Sequence, residues 1–175
     1  MTRRRRLTLR TAEPAYARKM HALISANLVE GHLLPRTLEE LTAHAGRFVI
    51  ALQGRTLVGC AELAPLSPQV AEVRSLAVDE SARHAGVGTQ LVEELRQRAR
   101  RDGYDKLSAF THAPGYFIQM GFSIVPHLWM PEKIFTDCVK CPLFQRCGQY
   151  AMVLPLDGVS EPAEREVPLI LARHA

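Results

Sequence analysis

The stretch 73–101 constrains the fold more than any other part of the chain. A β-prone run, 73–78, enters the polar turn Asp79-Glu80-Ser81-Ala82. Arg83-His84-Ala85-Gly86-Val87-Gly88 follows and opens, at Thr89, an amphipathic segment to Arg101 with Leu91, Val92 and Leu95 on one side. Strand, glycine-rich turn and helix, in that order, make a cradle for a diphosphate. Glycine lets backbone approach an anion closely. The first-turn N–H groups of a helix lack intrahelical acceptors and point outward, and the helix dipole favours negative charge there. Arg83 adds a charge-assisted contact. Two other phosphate loops do not fit. A P-loop needs Lys-Ser or Lys-Thr after its last glycine, whereas Thr89-Gln90 follows Gly88. A dinucleotide fingerprint belongs near the first strand of its unit, and this turn lies mid-chain.

The rest of the chain supplies a sheet around that turn. Leu7-Thr8-Leu9-Arg10 alternates as a first strand. A helix starting at Thr11 or Glu13-Pro14 carries Ala17, Met20, Leu23, Ile24 and Leu28 at helical spacing, and Gly31 ends it. Thr37 and Glu40 form a capping box for a short helix through Leu41 to Ala45. Segments 47–52 and 56–63 read as strands joined at Gln53-Gly54-Arg55, and 71–78 as a fourth strand. Strands at 106–111, 122–125 and 150–156 follow, with a short helix at 114–120 stopped by Gly121. The predicted fold class is α/β (α+β), a mixed sheet of about seven strands flanked by helices.

At 175 residues, 47% hydrophobic and 23% charged, the chain reads as one domain at 7–156. A basic arm precedes it at 1–6, a Cys-containing insertion occupies 130–148, and a Glu/Pro/Ala-rich tail fills 157–175. No apolar run approaches the ~20 residues of a membrane span and no signal-peptide core follows Met1, so the expectation is a cytoplasmic protein without membrane contact. The net charge of +4 comes largely from Arg3 to Arg6 and Arg10. No aromatics interleave with that run, so nucleic acid is not an expected partner. The excess positive charge suits an anionic cosubstrate and acidic small molecules.

The Arg83-x-x-Gly86-x-Gly88 turn after a mid-chain strand resembles the pyrophosphate loop of the GNAT superfamily of N-acetyltransferases. The element order matches as well, and Tyr116-Phe117-Ile118-Gln119-Met120-Gly121-Phe122 resembles the aromatic pair that precedes Gly-Phe in that superfamily. The resemblance covers roughly 7–156. It implies a GNAT fold with a mostly antiparallel sheet, and acetyl-CoA as cosubstrate. It places the cosubstrate on Leu76, Ala77, Val78, Arg83, His84, Ala85, Gly86, Val87, Gly88 and Thr89. Backbone N–H groups near Leu76 to Val78 would hold the pantetheine arm and acyl carbonyl, which requires a splayed or bulged strand there.

Finer likenesses bear on the acceptor. The connector 31–41, the strand 71–78 and the segment 130–142 resemble short bacterial N-acetylglutamate synthases. That resemblance implies acetyl transfer to the α-amine of L-glutamate, as in arginine biosynthesis, by direct attack in a ternary complex. Acetylation of another small-molecule or protein amine is the alternative. A non-catalytic acyl-CoA-binding or metal- or redox-responsive module is the second. A second copy of the chain, as a homodimer, is left open.

The transfer needs a neutral amine, so a base must take a proton from the α-ammonium, directly or through water. Glu72 lies eleven residues before Arg83, the offset of the general base in histone-acetylating relatives. Its other reading is a strand carboxylate paired with Arg74 on the same face; Glu62 is a further candidate base. Tyr116 is the candidate general acid, although Phe117 occupies the usual tyrosine place; a core aromatic is its alternative. Arg36 and Arg74 are chosen for the two carboxylates of glutamate because arginine binds carboxylate bidentately, with Ser75 and His112 as additional contacts. Many long synthases carry arginines where this chain has His112 and Met120.

Cys138-x-x-Cys141-x5-Cys147 forms a compact cluster, while Cys60 sits in a strand. The C-x-x-C resembles half of a structural zinc site, with His127, Asp137 or Cys60 as the fourth ligand. Reduced or redox-active thiols, including a disulfide, are the alternative.

Overall fold

The structure is a computed structural model that describes residues 6–28 and 33–156. Most of the expected arm, Gly31 with His32, and the tail lie outside the described residues. Seven strands form one sheet: β1 (Leu7–Thr11), β2 (Phe48–Gln53), β3 (Thr56–Pro65), β4 (Val70–Val78), β5 (Lys106–Thr111), β6 (Ser123–Val125) and β7 (Tyr150–Pro155). Their spatial order is β1-β2-β3-β4-β5-β7-β6. The β4–β5 pair runs parallel and the other pairs antiparallel. The helices are α1 (Ala17–Asn27), α2 (Leu38–Ala43), α3 (Val87–Arg101), α4 (Pro114–Gln119) and α5 (Pro131–Thr136).

Two-residue alternation divides the strand side chains between two faces. Val49 and Ala51 of β2, Ala61 and Leu63 of β3, Ala71 and Val73 of β4, Leu107 and Ala109 of β5, and Met152 and Leu154 of β7 meet α3. The helix answers with Val87, Leu91, Val92, Leu95 and Ala99, all buried. On the opposite face, Phe48, Ile50, Leu52 and Cys60 pack under α1 and α2. Farther along, Val70, Met130 and Ala151 form a separate small cluster. The strip between these two clusters holds Glu62 and Glu72, both buried. A sheet face with two apolar patches and charge between them is the first sign of the site.

Most boundaries follow local chemistry. Thr37 accepts the Glu40 N–H at 3.1 Å, so the expected N-cap forms. Gly121 takes φ 90°, and Phe122 N–H donates to Phe117 O at 3.0 Å, closing α4 as a left-handed cap does. Helix α3 starts at Val87, two residues before the expected start, because Gly86 is its N-cap. Helix α5 lies inside the Cys-containing insertion expected at 130–148. Pro131 opens it at N1, and Lys133 with Asp137 forms an i,i+4 pair at 2.9 Å.

Candidate active site

The parallel pair opens into a groove. Strand β4 pairs with β5 from Val70↔Lys106 to Val73↔Ala109 only, although β4 continues to Val78. Against β3, the register shifts where Cys60↔Ala77 gives way to Glu62↔Arg74, which places one extra residue in β4 at Ser75–Leu76. Ser75 has φ 50° there. A bulge of this kind bends the strand and frees backbone groups. The expected irregularity is therefore present, with Leu76, Ala77 and Val78 on the free side of the splay.

The other end of the groove is the glycine turn. Gly86 takes φ 76°, and the first intrahelical bond of α3 runs from Gln90 N–H to Gly86 O at 3.1 Å. A Cβ at Gly86 would meet only Gln90 Nε2, at 4.0 Å, so the space over the turn is open. His84, at φ 59°, and Ser75 are the non-glycine residues with positive φ among the described residues. One lies at each end of the groove, where backbone strain is expected to serve binding. Arg83 is tethered by its own contacts: Nη2 donates to Asn27 Oδ1 at 2.9 Å and Nε to Val78 O at 3.4 Å. His84, Ala85, Gly86 and Thr89 are exposed, and Val87 is buried against the sheet. These residues fit a diphosphate by chemistry: outward first-turn N–H groups, an adjacent guanidinium and a bare αL glycine.

Tyr116, on α4, reaches the same corner. An ideal Cβ on Gly88 would stand 2.9 Å from the Tyr116 hydroxyl, so any larger residue there would crowd that oxygen. Burial pushes the phenol up from its ordinary value, with the Thr89 side chain alongside pulling the other way. No hydrogen bond of normal geometry reaches this buried hydroxyl.

The acidic and basic candidates meet on the opposite face, next to the bulge. Arg36 Nη1 donates to Glu62 Oε2 at 2.7 Å and to Ser75 Oγ at 3.0 Å, and Arg36 Nη2 lies 3.1 Å from Glu40. Burial works against the Arg36 charge, but Glu62 and Glu40 outweigh it and raise its pKa. Arg74 Nε donates to Glu72 Oε2 at 2.7 Å, and Arg74 also pairs with Asp137. Lys133 Nζ donates to both Glu72 oxygens at 2.9 Å and to Asp137 at 2.9 Å. Burial likewise opposes the Arg74 charge, and Glu72 and Asp137 override it. Each arginine thus has a sealed inner glutamate and an open outer acid. The Glu62 and Glu72 side chains are 2% and 4% exposed, against 41% for Glu40 and 37% for Asp137.

The sequence reading brought Arg36, Arg74, Ser75 and Glu72 to one site but missed Lys133, Asp137 and Glu40. Pro131 and the i,i+4 Lys133/Asp137 pair were the available signals for α5. Of the two readings of Glu72, the geometry displays the carboxylate paired with Arg74. His112 is exposed and lies beside Gly148, whose Cβ would be 3.5 Å from the imidazole Cε1.

The cysteines require a correction. Among the described residues, no group of three or more His, Cys, Asp or Glu side chains is arranged to hold a metal ion. Cys138, Cys141 and Cys147 are free thiols near one another, and a ligand set is not formed. Cys60 is sealed under α1, and burial pushes its thiol up to about 12. His127 stacks at 53° to Phe110 with its centroid 5.8 Å away. Cys60 is buried under α1 while Cys138, Cys141 and Cys147 lie at the surface, so the candidate fourth ligand Cys60 and these three are in different places.

Two surface hollows, about 270 and 460 Å³, lie by Arg98 and by Leu57 respectively, the second reaching Asp79 just after β4. The groove is an open slot between strands, so it is recognised by its backbone rather than by an enclosed volume. No helix among the described residues is long and apolar enough to cross a membrane.

A sheet split at its one parallel pair among the described residues, with a helix terminus suited to an anion at one end and a charged cleft at the other, is the arrangement that the acetyltransferase resemblance implies. Comparison agrees: residues 12–122 match the acetyltransferase (GNAT) family model, and the chain belongs to that family. It is an acetyl-CoA-dependent N-acetyltransferase. An uncharacterized N-acetyltransferase of Chlorobaculum tepidum is 32% identical over 148 residues, 85% of this chain and 96% of that protein. An amino-acid acetyltransferase of Pseudomonas putida is 32% identical over 103 residues, covering 58% of this chain. The chain spans only 24% of that relative's length. The N-acetylglutamate synthase from Neisseria gonorrhoeae, complexed with coenzyme A and N-acetyl-glutamate, superposes with a TM-score of 0.79 at 26% identity. That match covers 87% of this chain and 35% of the synthase.

Proposed function

We propose that the protein acetylates the α-amine of a dicarboxylic amino acid, L-glutamate. The observation that carries this is the pair of arginines at the bulge, each backed by a buried glutamate and capped by a half-buried acid. The inner acids, Glu62 and Glu72, hold Arg36 and Arg74 in place. The outer acids, Glu40 and Asp137, occupy positions that two substrate carboxylates can take over. Lys133, shared by Glu72 and Asp137, supplies a further cation on the Arg74 side. The likeness to amino-acid acetyltransferases and to the Neisseria synthase supports the same class of acceptor.

In this reading acetyl-CoA enters the slot between β4 and β5. Its diphosphate rests on the N–H groups and Arg83 at the turn 83–89. Its pantetheine follows Leu76 to Val78, and the acyl carbonyl meets a backbone N–H freed by the bulge, which stabilises charge developing on that oxygen. The amine, held by its carboxylates, attacks the thioester carbon. The C–N bond forms, the C–S bond breaks, and coenzyme A leaves as a thiolate that takes a proton from water.

The amine proton leaves through a buried carboxylate. Glu72, the base suggested by the loop offset, has both oxygens occupied by cations. Among the described residues, Glu62 leaves Oε1 with only Arg47, at 4.0 Å. Glu62 also faces Ser75 across Arg36, so it is the better-placed acceptor, with Glu72 anchoring Arg74 and Lys133. The buried Tyr116 hydroxyl faces the glycine turn, which makes it a contact for bound acetyl-CoA rather than an acid for the leaving thiol.

Thiol release from acetyl-CoA, measured across the free amino acids, tests the proposal. Turnover with glutamate, and loss of acceptor affinity in Arg74→Ala with acetyl-CoA affinity retained, is the expected outcome. Turnover confined to a monocarboxylic or non-amino-acid amine rejects glutamate. Binding of coenzyme A without turnover of any amine rejects catalysis.

A further inference from the structure

The two arginines of the acceptor cleft are not equivalent. Arg36 sits at the bulge itself, where it donates to Ser75 Oγ at 3.0 Å. Arg74 turns the other way, and its Nε reaches back along β4 to Glu72 Oε2 at 2.7 Å. Lys133 joins it there, and both cations pair with Asp137 Oδ2. A carboxylate of the protein is thus already seated between two cations. Lys133 is the more deeply held of the two, its side chain 13% exposed against 27% for Arg74. Its Nζ lies 5.1 Å from the centre of the Phe110 ring, which favours the charge at that place. Met130, the buried N-cap of α5, anchors the helix that carries it.

We infer that Lys133 is the specificity-determining residue of the acceptor site: with Arg74 it takes the side-chain carboxylate of glutamate, while Arg36 takes the α-carboxylate, and its charge makes the site prefer a carboxylate to the corresponding amide. The assignment rests on the proposed glutamate acceptor and follows from connectivity. The α-carboxylate is one carbon away from the attacking amine, so it must lie beside the reacting carbon at the bulge, and Arg36 is the cation bonded there. The side-chain carboxylate lies two methylenes farther out and reaches the seat that Asp137 now fills. When Asp137 gives way, Arg74 and Lys133 face the single Glu72 carboxylate. A substrate carboxylate neutralises that excess of positive charge. The amide of glutamine is neutral and turns an NH2 toward groups that only donate, so it is rejected.

Thiol release by the full chain is measured with glutamate, with glutamine, which lacks the side-chain carboxylate, and with 4-aminobutyrate, which lacks the α-carboxylate and serves as acceptor or as competitive inhibitor. Lys133→Met should weaken the use of glutamate and the binding of 4-aminobutyrate by about 100-fold, chiefly through KM, and that of glutamine by no more than about threefold. The KM for acetyl-CoA stays unchanged. Lys133→Arg, which keeps the charge, should keep glutamate well ahead of glutamine. An equal loss on all three compounds would mark a structural role for Lys133. A loss confined to glutamate and glutamine would put Lys133 at the α-carboxylate. Either result overturns the assignment and leaves glutamate as the acceptor. A wild-type protein that uses glutamine better than glutamate overturns the preference directly. A wild-type protein that turns over no glutamate at all refutes the acceptor, and the assignment falls with it.

Discussion

Replacing Gly88 with alanine probes the corner on which acetyl-CoA binding depends. An ideal Cβ there lies 2.9 Å from the Tyr116 hydroxyl but 3.7 Å from both its Cζ and Val78 Cγ2. The collision is therefore with one oxygen atom. The ring cannot retreat freely, because it packs edge-on against Phe117 with centroids 5.2 Å apart. Overpacking of this kind costs about 1–3 kcal/mol. Alanine in place of glycine inside a helix returns up to about 1 kcal/mol. Gly88→Ala should then destabilise by roughly 0–2 kcal/mol. In a Tyr116→Phe background the oxygen is gone, and the same change should stabilise by up to about 1 kcal/mol. Urea unfolding of the four proteins gives a coupling equal to the overpacking term, about 1–3 kcal/mol. Tyr116→Phe alone removes a buried hydroxyl that has only the Thr89 side chain alongside, so without ligand its stability should change by no more than about 1 kcal/mol. Its affinity for acetyl-CoA should nonetheless fall about three- to tenfold, the worth of one hydrogen bond. Additivity within ~0.5 kcal/mol across the cycle would mean that the hydroxyl does not stand over Gly88, and the account of the turn would be refuted.

Three further outcomes follow from the charged cleft and the thiols. Arg36→Ala strands Glu62 without its main partner, and unfolding free energy should drop by about 3–5 kcal/mol, as for other broken buried pairs; a loss under ~1 kcal/mol would show the pair to be solvated. Burial pushes the Asp137 carboxyl up, but Lys133 and Arg74 outweigh it and hold its pKa below the ordinary value. A depressed folded pKa means stability present above the unfolded value near ~4 and lost as pH falls through the folded one. Asp137→Asn should flatten the stability profile below about pH 4 and leave it unchanged above about pH 5; equal slopes in acid would contradict the pairing. Cys60, pushed up to about 12 by burial, should resist an aromatic disulfide reagent in the native protein, so three of the four thiols titrate before unfolding and the fourth only after. Four rapid native titrations would expose an opening beneath α1.

The segments that repeat with a helix or strand period were legible because their faces are set by local spacing. The 3.6-residue rhythm of Leu91, Val92 and Leu95 decides which side of α3 turns inward whatever it packs against, and Thr37 caps its own helix. The turn 83–88 was equally legible, since a bare αL glycine and unsatisfied helix N–H groups carry their chemistry within a few residues. Tertiary structure alone decided that Glu72 and Arg74 meet Lys133 and Asp137, which are 61 and 63 residues away in the chain from their partners. It also decided that Glu62 faces Arg36, that the extra residue falls at Ser75, and that the cysteines do not gather around a metal. The Glu72 and Arg74 contacts depend on where α5 is carried relative to β4, and the Glu62 contact on where the segment before α2 crosses β3. Ion pairs between distant segments are set by that placement, and no local pattern encodes it.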